Sequence, residues 1–280
     1  MSERDQAGRH FLVTGANTGI GRVTAVELAK RGAHVLLGCR SEEKTKPVIE
    51  EIVNAGGVAD FLPLDLADFS SIRKAAKVVL DRDEPLDVLI NNAGLAGLRG
   101  LTKDGFELTI GTNHLGHFLL TTLLLPKLRN AKKPRIVNVA SKAHYDAKEL
   151  DFSQFRVSTK TMTGVPEYGV SKLCNILFTK SLATGKAGGD IKSYSLHPGV
   201  VASDAWRQMP WPIRPLIKMF MISNEEGAKT SLYCATSPEV EDLSGEYFDE
   251  CAVKKPSKLA LDAGLADELW KKSEEWVNAS

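Results

Sequence analysis

Six short apolar runs, separated by longer segments with helical spacing, recur between residues 10 and 197 of this 280-residue chain. Because the runs are apolar nearly throughout, they are typical of strands covered on both faces. Strands that alternate with amphipathic helices predict parallel βαβ units. No linker or repeat marks a second domain, so the expected fold is a single-domain, doubly wound parallel α/β sheet over residues 1–280. The runs are HFLVTG (10–15), AHVLLGC (33–39), VADFLPL (58–64), LDVLINN (86–92), RIVNVAS (135–141) and IKSYSLH (191–197).

The composition argues against two classes of partner. The chain carries 36 Lys and Arg against 35 Asp and Glu, and this balance gives no attractive field for nucleic acid. Its most apolar stretch, LGHFLLTTLLLP (115–126), is too short for a bilayer, and MSERDQAGRH (1–10) lacks the apolar core of a secretory signal. Four widely spaced cysteines without a C-x-x-C pair predict reduced thiols. We therefore expect a cytoplasmic protein without nucleic acid or a transmembrane segment.

Three glycines, at positions 15, 19 and 21, lie between the first strand and the first helix in FLVTGANTGIGR (11–22). Glycine costs backbone entropy, so such a cluster needs a reason. At a helix N-terminus the free N–H groups and the positive end of the dipole attract a pyrophosphate, and side chains would block its approach. A tight structural turn is the alternative. In this strand-turn-helix setting the cluster predicts a phosphate-binding turn.

Tyr168 and Lys172, in EYGVSK, lie four residues apart and share one helix face. A free tyrosine has a pKa of about 10, and a nearby cation would lower it toward the neutral range. Ser141 closes the strand RIVNVAS, at the carboxyl edge where α/β sheets bind ligands. Each could be an ordinary surface or turn residue. Together they indicate a site that transfers protons.

These residues belong to a longer series that resembles the short-chain dehydrogenase/reductase family. In order, it comprises TGANTGIG (14–21), NNAG (91–94), Asn113, Ser141, YGVSK (168–172) and HPGVVAS (197–203). The resemblance implies a Rossmann-type sheet of about seven strands, with Asn113, Ser141, Tyr168 and Lys172 as catalytic residues. It implies that Tyr168 is the general acid or base, Ser141 holds the substrate oxygen, Lys172 binds the nicotinamide ribose and lowers the tyrosine pKa, and Asn113 anchors a water.

The same resemblance implies a nicotinamide cofactor, with Asn91 and Gly94 lining its cleft and Asp65 and Leu66 at the adenine. The cofactor-binding residues expected are Gly15, Asn17, Thr18, Gly19, Ile20, Gly21, Arg40, Asp65, Leu66, Asn92, Ala93, Gly94, Tyr168, Lys172, Pro198, Gly199, Val201 and Ser203.

The end of the second strand, LLGCR, bears on the choice of cofactor. Dinucleotide folds that bind NAD place an acidic residue there, to accept hydrogen bonds from the ribose 2′-hydroxyl. This chain has Cys39 at that position and Arg40 next to it. A guanidinium can bind phosphate oxygens with two hydrogen bonds, so the sequence predicts NADP(H). An ordinary surface charge is the alternative.

Four segments are similar to the retinol dehydrogenase branch, which reduces retinal and other lipophilic aldehydes: GANTGIGR (15–22), CRSEEK (39–44), TNHLGHFLLT (112–121) and LSGEYF (243–248). The spacing from Ser141 to Tyr168 is long and carries ELDFSQF, as in that branch and in light-dependent protochlorophyllide reductases. Many vertebrate members of the branch have an N-terminal membrane anchor, which this sequence does not show. The resemblance therefore implies the reaction chemistry of that branch more strongly than it implies the substrate.

The segment WRQMPWPIRPLIKMFMI (206–222) gathers two tryptophans and three of the five methionines. Methionine adapts to varied apolar shapes, and the three prolines prevent one continuous helix, so a substrate lid over residues 203–224 is predicted. Trp206 and Met209 would then contact a lipophilic carbonyl or alcohol, together with Ser141 and Tyr168. A buried helix, a subunit contact in a homo-oligomer and a weak membrane-surface contact are the alternatives.

The sequence as a whole predicts an NADP(H)-dependent oxidoreductase that transfers hydride between nicotinamide and a lipophilic aldehyde, ketone or alcohol. A non-catalytic NADP(H)-binding sensor or scaffold and a light-dependent reductase are the alternatives. His114 and His117 form an H-x-x-H without a third ligand, so we expect structural roles and no metal. His197 is likewise expected to be packed, and Trp270 and Trp276 are expected on the core.

Overall fold

The sheet of this computed structural model, which describes residues 4–186, 188–199 and 223–279, has eight strands. The strands are β1 (His10–Thr14), β2 (His34–Cys39), β3 (Val58–Pro63), β4 (Val88–Asn91), β5 (Arg135–Val139), β6 (Lys192–His197), β7 (Tyr247–Asp249) and β8 (Ala252–Lys254). Their order in the sheet is β3-β2-β1-β4-β5-β6-β7-β8, with β1 to β7 parallel and β8 antiparallel to β7. The doubly wound parallel sheet is confirmed.

The eighth strand goes beyond the seven implied by the resemblance, and it exists because the chain turns back after β7. Glu250 and Cys251 both have positive φ angles, 52° and 58°. Positive φ at both central residues is the geometry of a type I′ hairpin turn, which matches the twist of the flanking strands. The turn favours Asn and Gly, so a Glu-Cys pair gives no sequence signal for it.

Helices cover both faces of the sheet. The helices are α1 (Gly19–Lys30), α2 (Glu42–Asn54), α3 (Phe69–Leu80), α4 (Leu108–Ile110), α5 (Gly116–Arg129), α6 (Val165–Ser181), α7 (Asn224–Thr236) and α8 (Ala263–Asn278). On one face, α3, α5, α6 and α8 pack into an apolar core that includes Ile72, Leu120 and Leu269. On the other face, α1, α2 and α7 pack into a second core. A π-helical turn, Gly111–Leu115, joins α4 to α5. Trp270 is buried and Trp276 packs against the same core, as predicted.

The described residues also include four cysteines and several short helical turns. Cys39, Cys174 and Cys234 are buried, and Cys251 is half-buried; all four are free thiols. No helix within the described ranges is both long and apolar enough to cross a membrane. The 3-10 turns are Lys142–Asp146, Phe152–Arg156, Pro238–Val240 and Leu259–Leu261, and a second π-helical turn spans Leu182–Lys186.

The strand order reverses between β1 and β4, which are hydrogen-bonded neighbours. From β1 the chain winds outward through β2 to β3, and from β4 it winds the other way through β5 to β6. Open α/β sheets bind ligands in the crevice outside the carboxyl ends of the strands at such a reversal. The glycine turn follows β1, and NNAG spans the end of β4, so both lie at this crevice.

One close packing contact brings α5 onto the loop after β3. A Cβ added at Gly116, the first residue of α5, would overlap the carbonyl oxygen of Leu66 and lie 3.0 Å from the Leu66 Cβ. Only glycine allows this approach, since the obstacle is backbone rather than a flexible side chain.

We expect Gly116→Ala to lower the melting temperature, because relieving such an overlap typically costs about 1–3 kcal/mol. Gly264→Ala is the matched control, since Gly264 is an exposed helical glycine in α8 and an added Cβ would meet only the Asp262 side chain, at 3.3 Å. Thermal unfolding followed by circular dichroism should show a loss for the first variant and none for the second. Equal melting temperatures for Gly116→Ala and the parent would contradict the packing argument.

Candidate active site

The glycine turn packs directly against the loop after β4. Gly15 and Gly19 have φ angles of 67° and 57°, which other residues rarely adopt. A Cβ at Gly15 would lie 2.9 Å from the Ala93 Cα, and a Cβ at Gly21 would overlap the Gly15 carbonyl oxygen and the Asn92 amide nitrogen. Packing and backbone conformation therefore require these glycines even without a ligand. A tight structural turn, the alternative to a phosphate-binding turn, explains part of the motif.

The N-terminus of α1 at this turn has no side-chain cap. Its Ncap residue, Thr18, has extended backbone angles but its side chain makes no capping hydrogen bond. Uncapped N–H groups and the helix dipole make such an end suitable for an anion. Asn17, Thr18 and Ile20 lie in this turn or in the first residues of α1, where the sequence predicts a pyrophosphate.

Thr14 joins the two loops at the crevice. Its Oγ1 accepts hydrogen bonds from the backbone N–H groups of Asn92 and Ala93, both at 2.9 Å. Asn92 returns a bond from Nδ2 to the Thr14 carbonyl oxygen at 2.8 Å. Asn91, in contrast, donates from Nδ2 to Thr121 Oγ1 at 3.0 Å and to Asn138 Oδ1 at 2.8 Å. Its buried side chain therefore supports the sheet rather than lining the cleft.

The predicted adenine side of the crevice lies beyond β2 and β3. Arg40 is exposed directly after β2, and it forms no ion pair within the described part of the chain. Cys39 before it is buried, and burial raises the pKa of its thiol. Asp65 accepts a hydrogen bond at Oδ1 from the Ala67 N–H, at 3.0 Å, while Leu66 is buried.

Asn113 lies in the π-helical turn, and its buried side chain is fully bonded. Its Nδ2 donates to the Leu95 carbonyl oxygen and to Ser171 Oγ, both at 3.0 Å, and its Oδ1 accepts from the Leu95 N–H at 2.9 Å. A Cβ added at Gly94 would lie 3.4 Å from Lys172 Nζ and 3.5 Å from Asn113 Oδ1. The structure thus brings Asn113, Gly94 and Lys172 together.

Lys172 and Tyr168 project from α6 toward the end of β5. Lys172 Nζ donates to the Val139 carbonyl oxygen at 2.8 Å and lies 5.4 Å from the centre of the Tyr168 ring. Burial lowers the pKa of Lys172 to about 8. Burial raises the pKa of Tyr168, against the opposing effect of a hydrogen bond from Ser141. The expected lowering of the tyrosine pKa is therefore not found in this structure, because desolvation outweighs the hydrogen bond from Ser141.

Ser141 lies two residues beyond the end of β5, and His197 ends the neighbouring strand β6, beside this pair. Ser141 Oγ accepts from the Ala143 N–H at 3.2 Å as the N-cap of a 3-10 turn. His197 is buried; its Nδ1 accepts from the Lys142 N–H at 3.4 Å, and burial lowers its pKa to about 4. Pro198 and Gly199 follow β6 and are half-buried.

Part of the predicted site lies outside the described residues. Val201, Ser203, Trp206 and Met209 fall there, as does the lid from residue 203 to residue 222. The last two residues of that predicted lid, Ser223 and Asn224, are described and lie at the start of α7. Ser223 caps this helix by accepting a hydrogen bond from the Glu226 N–H at 3.1 Å, and Asn224 is its first residue.

Two buried histidines near Asn113 bond to protein groups. His114 Nε2 lies 3.0 Å from Ser273 Oγ, and His117 contacts Thr14 and the Asn113 backbone. Across the described residues, no three His, Cys, Asp or Glu side chains are grouped to hold a metal ion. The roles of Thr14 and His117 were missed by sequence reasoning, since neither residue type at these positions signals its long-range partner.

Comparison with known proteins identifies the family to which this chain belongs. A family model described as short chain dehydrogenase matches residues 9–211. The chain belongs to the short-chain dehydrogenase/reductase family. It is 45% identical over 269 residues to retinol dehydrogenase 11 of Homo sapiens, which covers 94% of this chain and 84% of that protein. It is 39% identical over 287 residues to retinol dehydrogenase 13 of Homo sapiens, with 96% and 85% covered.

Solved structures share the fold of this chain. A protein of Mycobacterium Paratuberculosis described as uncharacterised is 34% identical, with a TM-score of 0.78 over 97% of this chain and 94% of that chain. A short chain dehydrogenase of Escherichia coli CFT073, complexed with NADPH, shares the fold at 21% identity, with a TM-score of 0.70 over 89% and 99% of the two chains. The protein is thus an oxidoreductase of a family that binds a nicotinamide cofactor, and the predicted resemblance is confirmed.

We expect Tyr168→Phe to lower kcat by about 10²-fold or more, since proton transfer by a placed side chain is typically worth 10²–10⁴. Cofactor binding, measured by fluorescence titration, should persist because the phenol is predicted to act on the substrate oxygen. Tyr233→Phe is the matched control, because that hydroxyl bonds to Glu239 at 2.9 Å on the surface. Unchanged turnover in Tyr168→Phe would exclude the phenol from the reaction.

Proposed function

We propose that this protein is an NADP(H)-dependent reductase whose substrates are lipophilic, retinal-like aldehydes or ketones. In the reverse direction it oxidises the corresponding alcohols. The observation that carries the proposal is the meeting of Ser141, Tyr168 and Lys172 at the same sheet edge as the glycine turn. Proton-transferring groups and an uncapped helix N-terminus are what a hydride-transfer enzyme needs in one crevice.

The residues of the site suit carbonyl reduction in particular. A bound nicotinamide would supply or accept the hydride. Because its pKa is raised, Tyr168 holds its proton at neutral pH and can donate it from the phenolic oxygen to a carbonyl oxygen. Ser141, bonded to that phenol, is placed to hold the same oxygen. Lys172, with a pKa of about 8, keeps its positive charge at neutral pH beside the tyrosine.

The chain offers a fitting cradle for a dinucleotide. Gly15, Gly19 and Gly21 carry no Cβ at the turn and the start of α1, and the Ncap Thr18 leaves the first N–H groups of α1 without a side-chain acceptor. Cys39 replaces the acid that would bind a ribose 2′-hydroxyl and repel a 2′-phosphate. Arg40 is exposed at the end of β2 and carries a guanidinium suited to phosphate, which supports NADP(H) over NAD(H).

Arg40→Ala should therefore raise KM for NADPH strongly while changing KM for NADH little. A hydrogen-bonded guanidinium-phosphate contact is worth about 1.5–3 kcal/mol, or roughly ten- to a hundredfold in kcat/KM. Initial rates by absorbance, with both cofactors, measure the ratio. Lys46→Ala, which removes an exposed cation from α2 that pairs with Glu50, is the control. Equal kcat/KM for NADPH and NADH in the parent enzyme would refute the cofactor choice.

Two observations support a lipophilic substrate. Several relatives at 39–45% identity are named retinol dehydrogenases, and others in the same range are named dehydrogenase/reductase SDR family member 13. Independently, the sequence after HPGVVAS concentrates tryptophan and methionine, which bind apolar shapes adaptably. A pocket formed by such residues gains affinity with each apolar group that it buries.

With NADPH, kcat/KM should rise along a series of straight-chain aldehydes until the pocket is filled. Burial is worth about 0.8 kcal/mol per methylene, or about fourfold per carbon. A flat or falling series, with small polar carbonyls preferred, would contradict the lipophilic substrate and leave the reductase proposal standing. Tight NADPH binding without turnover of any carbonyl or alcohol would instead favour a non-catalytic sensor.

A further inference from the structure

His117, in the first turn of α5, bridges Thr14, which directly precedes the glycine turn, and the π-helical turn that carries Asn113. The side chain is buried, with only 2% of the residue exposed. Its Nε2 lies 2.9 Å from Thr14 Oγ1, and its Nδ1 lies 2.9 Å from the Asn113 carbonyl oxygen. One imidazole therefore connects the end of β1 with Asn113, one of the four predicted catalytic residues.

The direction of both bonds follows from the hydrogen-bonding capacity of Thr14. A threonine hydroxyl has two acceptor lone pairs and one proton. The Asn92 and Ala93 N–H groups, both at 2.9 Å, use the acceptor side. The proton must go to an acceptor, and His117 Nε2 at 2.9 Å is far better placed than the Ile90 carbonyl oxygen at 3.5 Å.

His117 is therefore the neutral tautomer with its proton on Nδ1. Nε2 accepts from Thr14, so Nδ1 must carry the hydrogen, and it donates that hydrogen to the Asn113 carbonyl oxygen. Burial, together with the nearby cation of Lys172, lowers the pKa of His117 to about 4. The ring consequently stays uncharged and keeps one tautomer throughout the neutral range.

The bond to Asn113 fixes a backbone group in an irregular stretch of helix. In the π-helical turn, the Gly116 N–H bonds to the Gly111 carbonyl oxygen, five residues back. Such turns disturb the regular ladder and commonly occur at functional sites. The Asn113 side chain is held by Leu95 and Ser171, and His117 orients the carbonyl of the same residue.

We infer that His117 is a positioning residue. As the Nδ1–H tautomer, it fixes the Asn113 carbonyl relative to Thr14, the residue before the glycine turn. This role rests on the proposed function, because the reductase reaction is what gives the position of Asn113 its importance. His117 touches no reacting group and acts through its two neighbours.

The tautomer is tested directly on the parent protein. Long-range ¹H–¹⁵N correlation spectra of histidine-labelled protein distinguish a protonated from an unprotonated ring nitrogen, and the signals lost in His117→Asn assign the residue. We expect protonated Nδ1 and unprotonated Nε2 between pH 6 and 8. A protonated Nε2 at His117 would overturn the inference, whether or not the protein reduces any carbonyl.

Two variants then separate the two bonds. An asparagine places its Nδ2 near the position of His Nδ1, and a glutamine places its Oε1 near Nε2. His117→Asn should keep kcat within about threefold and raise KM for NADPH, since the donor to Asn113 remains and the Thr14 partner is lost. His117→Gln should lower kcat about tenfold with KM for NADPH unchanged, since small misplacements near the reacting groups are costly.

His114→Asn is the control on the same turn, because His114 bonds to Ser273 and not to Thr14 or the Asn113 carbonyl. It should lower the melting temperature and leave kcat unchanged. Equal kcat losses in both His117 variants, or a loss in His114→Asn like that of His117→Gln, would show a merely structural ring and overturn the inference. If the parent shows no turnover, the proposed function fails, while the NMR result still decides the tautomer.

Discussion

The parallel pairing of the central strands is the constraint on which the site depends. Hydrogen bonding between parallel strands fixes their direction and register, so their carboxyl ends meet at one edge. In this sheet Val13 pairs with Ile90, Asn91 with Asn138, and Val139 with Leu196. The residues that follow these strands come from segments far apart in sequence: Gly15, Asn92, Ser141 and Pro198. Their proximity is a property of the backbone, and α6 adds Tyr168 and Lys172 to it.

Two consecutive asparagines at the end of β4 bond in different directions. Asn91, the last residue of β4, bonds to Thr121 and Asn138 in the core. Asn92, the next residue, bonds to the Thr14 backbone at the crevice. Asn138 continues the chain of amides to Thr179 Oγ1, at 2.9 Å. A buried polar chain of this kind is costly unless its members find partners, so it constrains how α5 and α6 pack on the sheet.

Much of this fold follows from the sequence, because short apolar runs that alternate with amphipathic helices are typical of strands covered on both faces. All six predicted strands are present, with each end within two residues of the prediction. The hairpin at Glu250 and Cys251 could not be foreseen, since its turn lacks the usual residues. Similarly, the spacing of Tyr168 and Lys172 reveals a neighbouring cation but not the burial that raises the tyrosine pKa. The bonds of Thr14 and His117 depend on tertiary contacts, which local patterns do not encode.

The short hairpin after β7 also changes what the sheet presents to other molecules. An edge strand displays unpaired N–H and C=O groups, and a long flat edge invites pairing with another chain. Here β8 covers β7, and every residue of Ala252–Lys254 is exposed. It is only three residues long, and Lys254 is followed at once by a second lysine and a proline. Charge and proline leave little backbone for a foreign strand to join, so this side of the sheet resists edge-to-edge aggregation.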